Sequence, residues 1–217
     1  MKITFAIVAI CIIVFVLQVS IQNFSSTFSL VPKLAFSGYV WQFVTYMFLH
    51  GDVMHLFLNM FGLLIFGVTI ENTIGRKRYS LLFFVSGLGS ALVFLLLTAT
   101  FTPSTELSGV FNTSLLGASG AIFGIMAAYG LLYPKNWIIM FPGIPMPAIV
   151  AVGFFAALEI FYGLTGLEPG IANWGHLGGL LVGAAMITYW KKRARRPKLL
   201  IDELENQDGK DWKFVWE

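Results

Sequence analysis

The stretch SLLGASGAIFGIMAAYGLLY, residues 114–133, is apolar enough to cross a lipid bilayer as a helix, because such a helix needs roughly 20 mostly apolar residues. One hydroxyl side chain, Ser119, stands near its start between glycine and alanine residues. The stretch therefore predicts a membrane helix. Its serine raises the question of whether other polar groups reach the same depth.

Composition places the whole chain in the membrane class. Of its 217 residues, 57% are hydrophobic and 12% are charged, whereas a soluble domain has about 25% charged residues. So few charges could not cover a surface exposed to water. The single cysteine, Cys11, excludes a disulfide bond within the chain.

Apolar segments predict an all-α polytopic membrane protein with six transmembrane helices. The predicted helices cover residues 3–22, 53–74, 79–101, 114–133, 146–165 and 171–190. They form a membrane domain over residues 1–190, and residues 191–217 form a tail that is basic and then acidic. A signal peptide is the alternative for the first segment, but its apolar run is long and no clear A-x-A site follows.

Basic residues fall on one side of these helices. Lys2, GRKR at 75–78, Lys135 and KKRARR at 191–196 share a side if the chain starts inside, so the positive-inside rule predicts two cytoplasmic termini. In a soluble protein such clusters would suggest nucleic acid, but beside apolar helices they mark topology, and no nucleic-acid partner is expected. The opposite loops carry Lys33, Asp52, Glu106 and Glu168.

Polar residues of three predicted helices meet at one depth on the outer side. His55 and Asn59 are four residues apart and share a helix face. Ser119 and His176 lie near the starts of the fourth and sixth helices. At about 1.5 Å per residue, all four lie roughly 3–9 Å below their helix starts. The remaining histidine, His50, precedes the second helix on the same side.

These residues suggest nucleophilic chemistry. A serine hydroxyl needs a base to become a nucleophile, and His176 is the candidate base. The outer acids lie in loops that nothing directs at His176, so the sequence predicts a dyad. Candidate donors to an oxyanion are the side chains of His55 and Asn59 and the backbone N–H groups near Ser119.

Glycine spacing supports a contact between the fourth and sixth helices. Gly120 and Gly124 are four residues apart, as are Gly179 and Gly183. Small residues at this spacing let membrane helices approach closely, which a Ser119–His176 hydrogen bond requires. The same spacing also fits plain tight packing.

Other functions fit the pattern less well. A zinc site usually takes three or four ligands, and His55 and Asn59 do not form an HExxH motif, so no metal or cofactor is expected. A transporter or channel would normally carry polar groups along its whole path. Glu159 is the exception to their clustering at one end; we expect it to pair with a neighbouring helix, without a catalytic role. Glu71 is expected to pair with a helix end or a basic loop residue.

Three stretches together resemble the rhomboid family of intramembrane serine proteases, in its prokaryotic six-helix form. They are WQFVTYMFLHGDVMHLFLN (41–59), GASGAIFG (117–124) and ANWGHLGGLLVGA (172–184). The resemblance covers about two-thirds of the chain and follows the family's order. It implies that Ser119 is the nucleophile and that His176 is the general base and then the general acid.

The resemblance also implies supporting roles. His55, Asn59 and the Ser119 backbone N–H would form the oxyanion hole, and His50 would be structural or would handle water. Phe123 stands where a tyrosine often packs on the catalytic histidine, and Gln42 where an arginine is frequent. Further supporting positions are Gly117, Gly120, Gly179 and Gly183. Residues 23–52 would form a partly inserted outer loop, and the fifth helix with residues 166–171 would form a gate and cap.

The implied activity is cleavage of single-pass membrane proteins in or beside their spanning segment. The implied partners are such substrates and the lipid bilayer. The implied location is the plasma membrane, with a site that opens to the extracytoplasmic side. A rhomboid-like protein that binds membrane helices without cutting them is the alternative, although such a binder needs neither Ser119 nor His176.

Overall fold

The computed structural model describes residues 2–101, 107–140, 143–167 and 172–194. The regular structure within these ranges is helical apart from one short β-hairpin and an isolated β-bridge. By length and composition, four of the described helices can cross a membrane: Ile3–Ser20, Val53–Ile74, Arg76–Phe101 and Ala148–Thr165. The structure thus agrees with the predicted class of helical, multi-pass membrane protein.

The first helix, Ile3–Ser20 (α1), begins against a buried carboxylate. Glu71 accepts the backbone N–H groups of Ile3 at 2.7 Å and Thr4 at 2.9 Å, and the Thr4 hydroxyl at 2.7 Å. The first N–H groups of a helix have no intrahelical acceptor and carry partial positive charge. The Glu71 carboxylate accepts their hydrogen bonds and also compensates their charge. The prediction that Glu71 pairs with a helix end is confirmed.

The segment at residues 23–52 is built from short helical pieces. They are Phe24–Phe28 (α2), Pro32–Phe36 (α3), Gln42–Thr45 (α4) and a 3₁₀ turn at Tyr46–Phe48. Gln42 is fully buried; its Oε1 accepts the N–H of Val31 and its Nε2 donates to the carbonyl of Thr27, each at 3.1 Å. Glutamine thus ties the segment together at the position where the resemblance leads one to expect arginine.

The second long helix is continuous but not uniform. It consists of Val53–Gly62 (α5), a π-helical turn at Leu63–Gly67 and Val68–Ile74 (α6). Asp52 caps its start by accepting the N–H of His55 at 2.7 Å. Gly75 ends it at φ +79°, a conformation that favours glycine, and Arg76–Phe101 (α7) follows directly. A short helix, Leu107–Asn112 (α8), comes next in the described chain.

The helix of the opening stretch, Ser119–Leu132 (α9), begins five residues later than the predicted start at residue 114. Leu115 instead pairs with Leu30 through two backbone hydrogen bonds of 2.8 and 2.9 Å. Gly117 then turns the chain at φ +120°. Ser119 is therefore the first residue of α9, rather than a residue more than a turn inside it.

Glycines bring α9 against the last described helix, Asn173–Ala194 (α11). A Cβ atom on Gly179 would overlap the carbonyl oxygen of Gly120, and one on Gly183 would overlap that of Gly124. The two backbones are thus in direct contact at both points. Larger side chains at these positions would force the helices apart.

A β-hairpin joins α9 to the helix Ala148–Thr165 (α10). Its antiparallel strands are Trp137–Met140 (β1) and Ile144–Pro147 (β2). Most of the outer surface of α10 is apolar and exposed, with Phe154, Phe161 and Leu164 among its exposed side chains. Glu159, in contrast, is buried, so the one carboxylate of α10 faces the protein.

Some predicted features lie outside the described residues. They are Glu106, most of the cap at 166–171 with Glu168, and the tail beyond Ala194. The start of the basic cluster is described: Lys191 lies in the last turns of α11 and donates to the carbonyl of Leu131 at 3.0 Å.

Replacing Glu71 by glutamine should destabilise the fold, because an amide lacks the charge and one of the two acceptor oxygens that hold the start of α1. We expect a loss of about 1–3 kcal/mol, measured by thermal unfolding in detergent. Asp52→Asn is the matched control, since asparagine caps a helix as well as aspartate does. Equal unfolding midpoints for Glu71→Gln and the wild type would contradict this role.

Candidate active site

Ser119 and His176 lie within hydrogen-bonding distance of one another. The Ser119 Oγ is 2.8 Å from the His176 Nε2. Ser119 opens α9 and His176 lies in the first turn of α11, just before the glycines where the two backbones touch. The close helix approach thus places a hydroxyl and an imidazole together.

The His176 ring is held by two further side chains. Its Nδ1 is 3.0 Å from the Glu159 Oε1, and the His176 and Glu159 side chains are only 15% and 11% exposed. Phe123 stacks on the ring with centroids 4.5 Å apart and planes 5° apart. Phenylalanine therefore provides the flat packing surface that the resemblance expects from tyrosine.

Glu159 pairs with a neighbouring helix, as predicted, but the sequence analysis did not identify His176 as its partner. The signal was present, since Glu159 lies six residues before the outer end of the predicted helix at 146–165. That spacing puts it about 9 Å below the outer end, which is close to the depth predicted for Ser119 and His176. The predicted depths refer to helices predicted to run inward from the outer side, whereas this helix is predicted to run outward.

His55 borders the same space as Ser119. Its Nδ1 accepts the N–H of Gly51 at 3.3 Å, so the neutral ring carries its proton on Nε2. A Cβ atom built on Gly117 would lie 2.8 Å from His55 Nε2 and 3.6 Å from Ser119 Oγ. The absence of a side chain at Gly117 therefore leaves room for an N–H donor beside the hydroxyl.

Asn59 lies one turn below His55 on the same helix. Its Nδ2 donates to the carbonyl of His55 at 2.8 Å, so in this state the amide is bonded to its own helix rather than to Ser119. The side chain is buried. Because an amide nitrogen carries two N–H groups, one remains for another acceptor.

Backbone N–H groups at the start of α9 add further donors. The first intrahelical bond at this end runs from Ile122 N–H to the carbonyl of Ala118, at 3.0 Å. The N–H groups of Ser119, Gly120 and Ala121 precede it and therefore have no acceptor within the helix. They lie at the positive end of the helix dipole, which favours a negative charge beside Ser119.

His50 packs behind His55. Its backbone N–H and carbonyl pair with the side-chain amide of Gln18 at 2.9 and 3.1 Å, and its ring meets that of His55 at 5.2 Å. Only 1% of His50 is exposed. Burial lowers its pKa to about 4, with the neighbouring His55 as the second cause. His50 is thus held neutral, with its ring packed edge-on against the His55 ring.

The described residues contain no group of three or more histidine, cysteine, aspartate or glutamate side chains that could hold a metal ion.

The Rhomboid domain family model matches residues 37–193, and the chain belongs to the rhomboid family. Rhomboid protease AarA of Providencia stuartii is 30% identical over 160 residues, which cover 70% of this chain and 56% of that protein. RHOMBOID-like protein 6, mitochondrial, of Arabidopsis thaliana is 33% identical over 143 residues, 66% of this chain and 41% of that protein. Rhomboid-like protease 3 of Toxoplasma gondii is 30% identical over 161 residues, 73% and 55% respectively. The chain thus spans about half the length of these relatives.

Acid should destabilise the protein through His50. The pKa of this residue is about 4 in the fold against 6.5 ordinarily, so the unfolded chain binds more protons between these pH values. Stability should fall by up to about 3 kcal/mol as the pH drops from about 6.5 to 4. Thermal midpoints from pH 4 to 8 should show a shallower loss for His50→Gln than for the wild type. Parallel curves for the two proteins would contradict this.

Proposed function

We propose that this chain is an intramembrane serine endopeptidase that cleaves peptide bonds in or beside the spanning segments of single-pass membrane proteins. The observation that carries the proposal is the 2.8 Å contact between Ser119 Oγ and His176 Nε2 among apolar helices. Membership of the rhomboid family, which includes relatives named as proteases, supports it.

The proposed reaction is acyl transfer through Ser119. His176 Nε2 accepts the hydroxyl proton as Oγ attacks the scissile carbonyl carbon, and a tetrahedral oxyanion forms. His176 then gives that proton to the leaving amine as the C–N bond breaks. Water, deprotonated by the same nitrogen, then attacks the acyl-enzyme. As the ester C–O bond breaks and the acid product leaves, His176 returns this proton to Ser119 Oγ and restores the hydroxyl.

The oxyanion would be bound by donors around Gly117. His55 offers Nε2–H, because its Nδ1 accepts the N–H of Gly51, and Ser119 offers its own backbone N–H. Asn59 would use the N–H that is not bonded to the carbonyl of His55. Donors of this kind act strongly where water is excluded, since the charge they meet develops during the reaction.

In the proposed membrane arrangement, α9 and α11 are the fourth and sixth of six spans, both termini are cytoplasmic and the site opens outward from the plasma membrane. A helix of 14 residues is about 21 Å long, shorter than the roughly 30 Å hydrocarbon core. If α9 ends at the inner face, Ser119 lies about 9 Å below the outer face. Water then reaches the hydroxyl through a shallow outer cavity.

A substrate helix must unwind before it can react. In a bilayer its backbone polar groups are paired internally, so the scissile carbonyl is exposed only where the helix opens. Helix-breaking residues near the cut would lower the free energy of opening. Small residues at the cut would fit the space beside Gly117, and α10 with the following loop would form the entry.

Removal of either reacting group should abolish cleavage. In proteoliposomes with a model single-pass substrate, Ser119→Ala and His176→Ala should each lower kcat by about 10³-fold or more. A fluorophosphonate should label the wild type but not Ser119→Ala. The control is Ser26→Ala, which removes an exposed hydroxyl of α2 and should leave both readouts unchanged. Cleavage by Ser119→Ala at the wild-type rate would rule out this function.

Loss of one oxyanion donor should slow the reaction without removing the nucleophile. Asn59→Ala and His55→Ala should each lower kcat by about 10²–10³-fold, with a smaller effect on KM because these donors act on the charge of the transition state. Ser119 should still be labelled, more slowly, by the fluorophosphonate. If kcat stays within about threefold of the wild type in both variants, these side chains do not stabilise the oxyanion.

A further inference from the structure

Glu159 carries a carboxylate into the apolar interior and directs it at His176. The residue is only 8% exposed, and its single hydrogen bond within the described structure is the 3.0 Å contact with His176 Nδ1. A buried carboxylate without a partner is strongly unfavourable in a membrane helix. Among the described residues, His176 is therefore the hydrogen-bonding partner that stabilises Glu159 at this buried position, rather than a wider polar network.

The contact decides which nitrogen of His176 carries the proton. Opposite an ionised carboxylate, which can only accept hydrogen bonds, Nδ1 is the protonated nitrogen of a neutral ring. Nε2 then presents a lone pair to the Ser119 hydroxyl 2.8 Å away. This tautomer is the one that can accept the serine proton.

The same contact compensates charge during the reaction. When Nε2 takes the serine proton, the imidazole becomes a cation in surroundings of low dielectric constant, where an isolated charge is costly. A carboxylate on the opposite nitrogen offsets that charge. Phe123 fixes the plane of the ring by stacking, but a phenyl ring can neither choose the tautomer nor neutralise the cation.

We propose that Glu159 is a positioning residue that holds His176 in the reactive tautomer and stabilises its protonated form, so that the site is a Ser119–His176–Glu159 triad rather than a dyad. The inference rests on the proposed protease function. Glu159 touches neither substrate nor the serine and acts only through His176.

The decisive variant is Glu159→Gln, which keeps the shape of the side chain and removes its charge. In proteoliposomes with the single-pass substrate, we expect kcat to fall at least about tenfold while KM stays within about twofold, because substrate binding does not involve this residue. Labelling by the fluorophosphonate should slow by a similar factor.

Glu71→Gln is the matched control. It makes the same carboxylate-to-amide change in another long helix, where Glu71 holds the start of α1 and does not contact His176. It should lower the unfolding midpoint while leaving kcat per folded molecule unchanged. If kcat of Glu159→Gln lies within twofold of that of Glu71→Gln, the carboxylate of Glu159 is only structural and the proposal is wrong.

A second measurement determines the tautomer of His176 in the wild-type protein, so it does not depend on whether a Glu159 variant folds. The chain contains three histidines, so ¹⁵N-histidine spectra of the wild type in detergent can be assigned by comparison with His176→Ala. The proposal expects His176 to be protonated on Nδ1 with Nε2 bare. A neutral His176 ring protonated on Nε2 would overturn it.

The outcomes separate this inference from the proposed function. An active wild type, an inactive Ser119→Ala and a fully active Glu159→Gln would leave the protease standing and remove the triad. A wild type that neither cleaves the substrate nor reacts with the fluorophosphonate would remove both.

Discussion

Direct backbone contact between α9 and α11 is the constraint on which the site depends. Lipid tails are as apolar as the helix surfaces, so the hydrophobic effect does not drive these helices together, and close packing must do so. The backbones of Gly120 and Gly124 leave no space for a side chain at Gly179 and Gly183, and the side chains of Ser90 and Ser86 leave none at Gly120 and Gly124. A hydroxyl on one helix and an imidazole on the other can bond only because of this approach.

The sequence predicts the long helices well because the bilayer imposes one rule on every spanning segment, internal pairing of the backbone. It predicts the start of α9 poorly. Residues 114–118 are as apolar as the helix that follows, and what keeps them out of that helix is the pairing of Leu115 with Leu30 and the turn at Gly117. Both are tertiary features that no local pattern records.

For the candidate site too, some features can be predicted from the sequence and others cannot. Ser119, His55, Asn59 and His176 can be chosen from the sequence because rise per residue places all four near the starts of their predicted helices. Rotation about the helix axis is not fixed so simply, which is why the sequence cannot show that Asn59 bonds back to its own helix or that His55 presents Nε2 beside Gly117. To identify the partner of Glu159, one needs to know both its depth and the direction that its side chain faces. The sequence supplies only the depth.

Ser119, His176 and Glu159 stand on three different helices, and most of the surface of α10 is exposed rather than packed against the protein. A hydrogen bond of 3.0 Å is lost once its atoms separate by about another ångström. A small tilt of α10 would therefore disconnect Glu159 while leaving the serine and histidine together. Membrane thickness and lateral tension, which act on that helix from outside, would then change how firmly the imidazole is held without touching it.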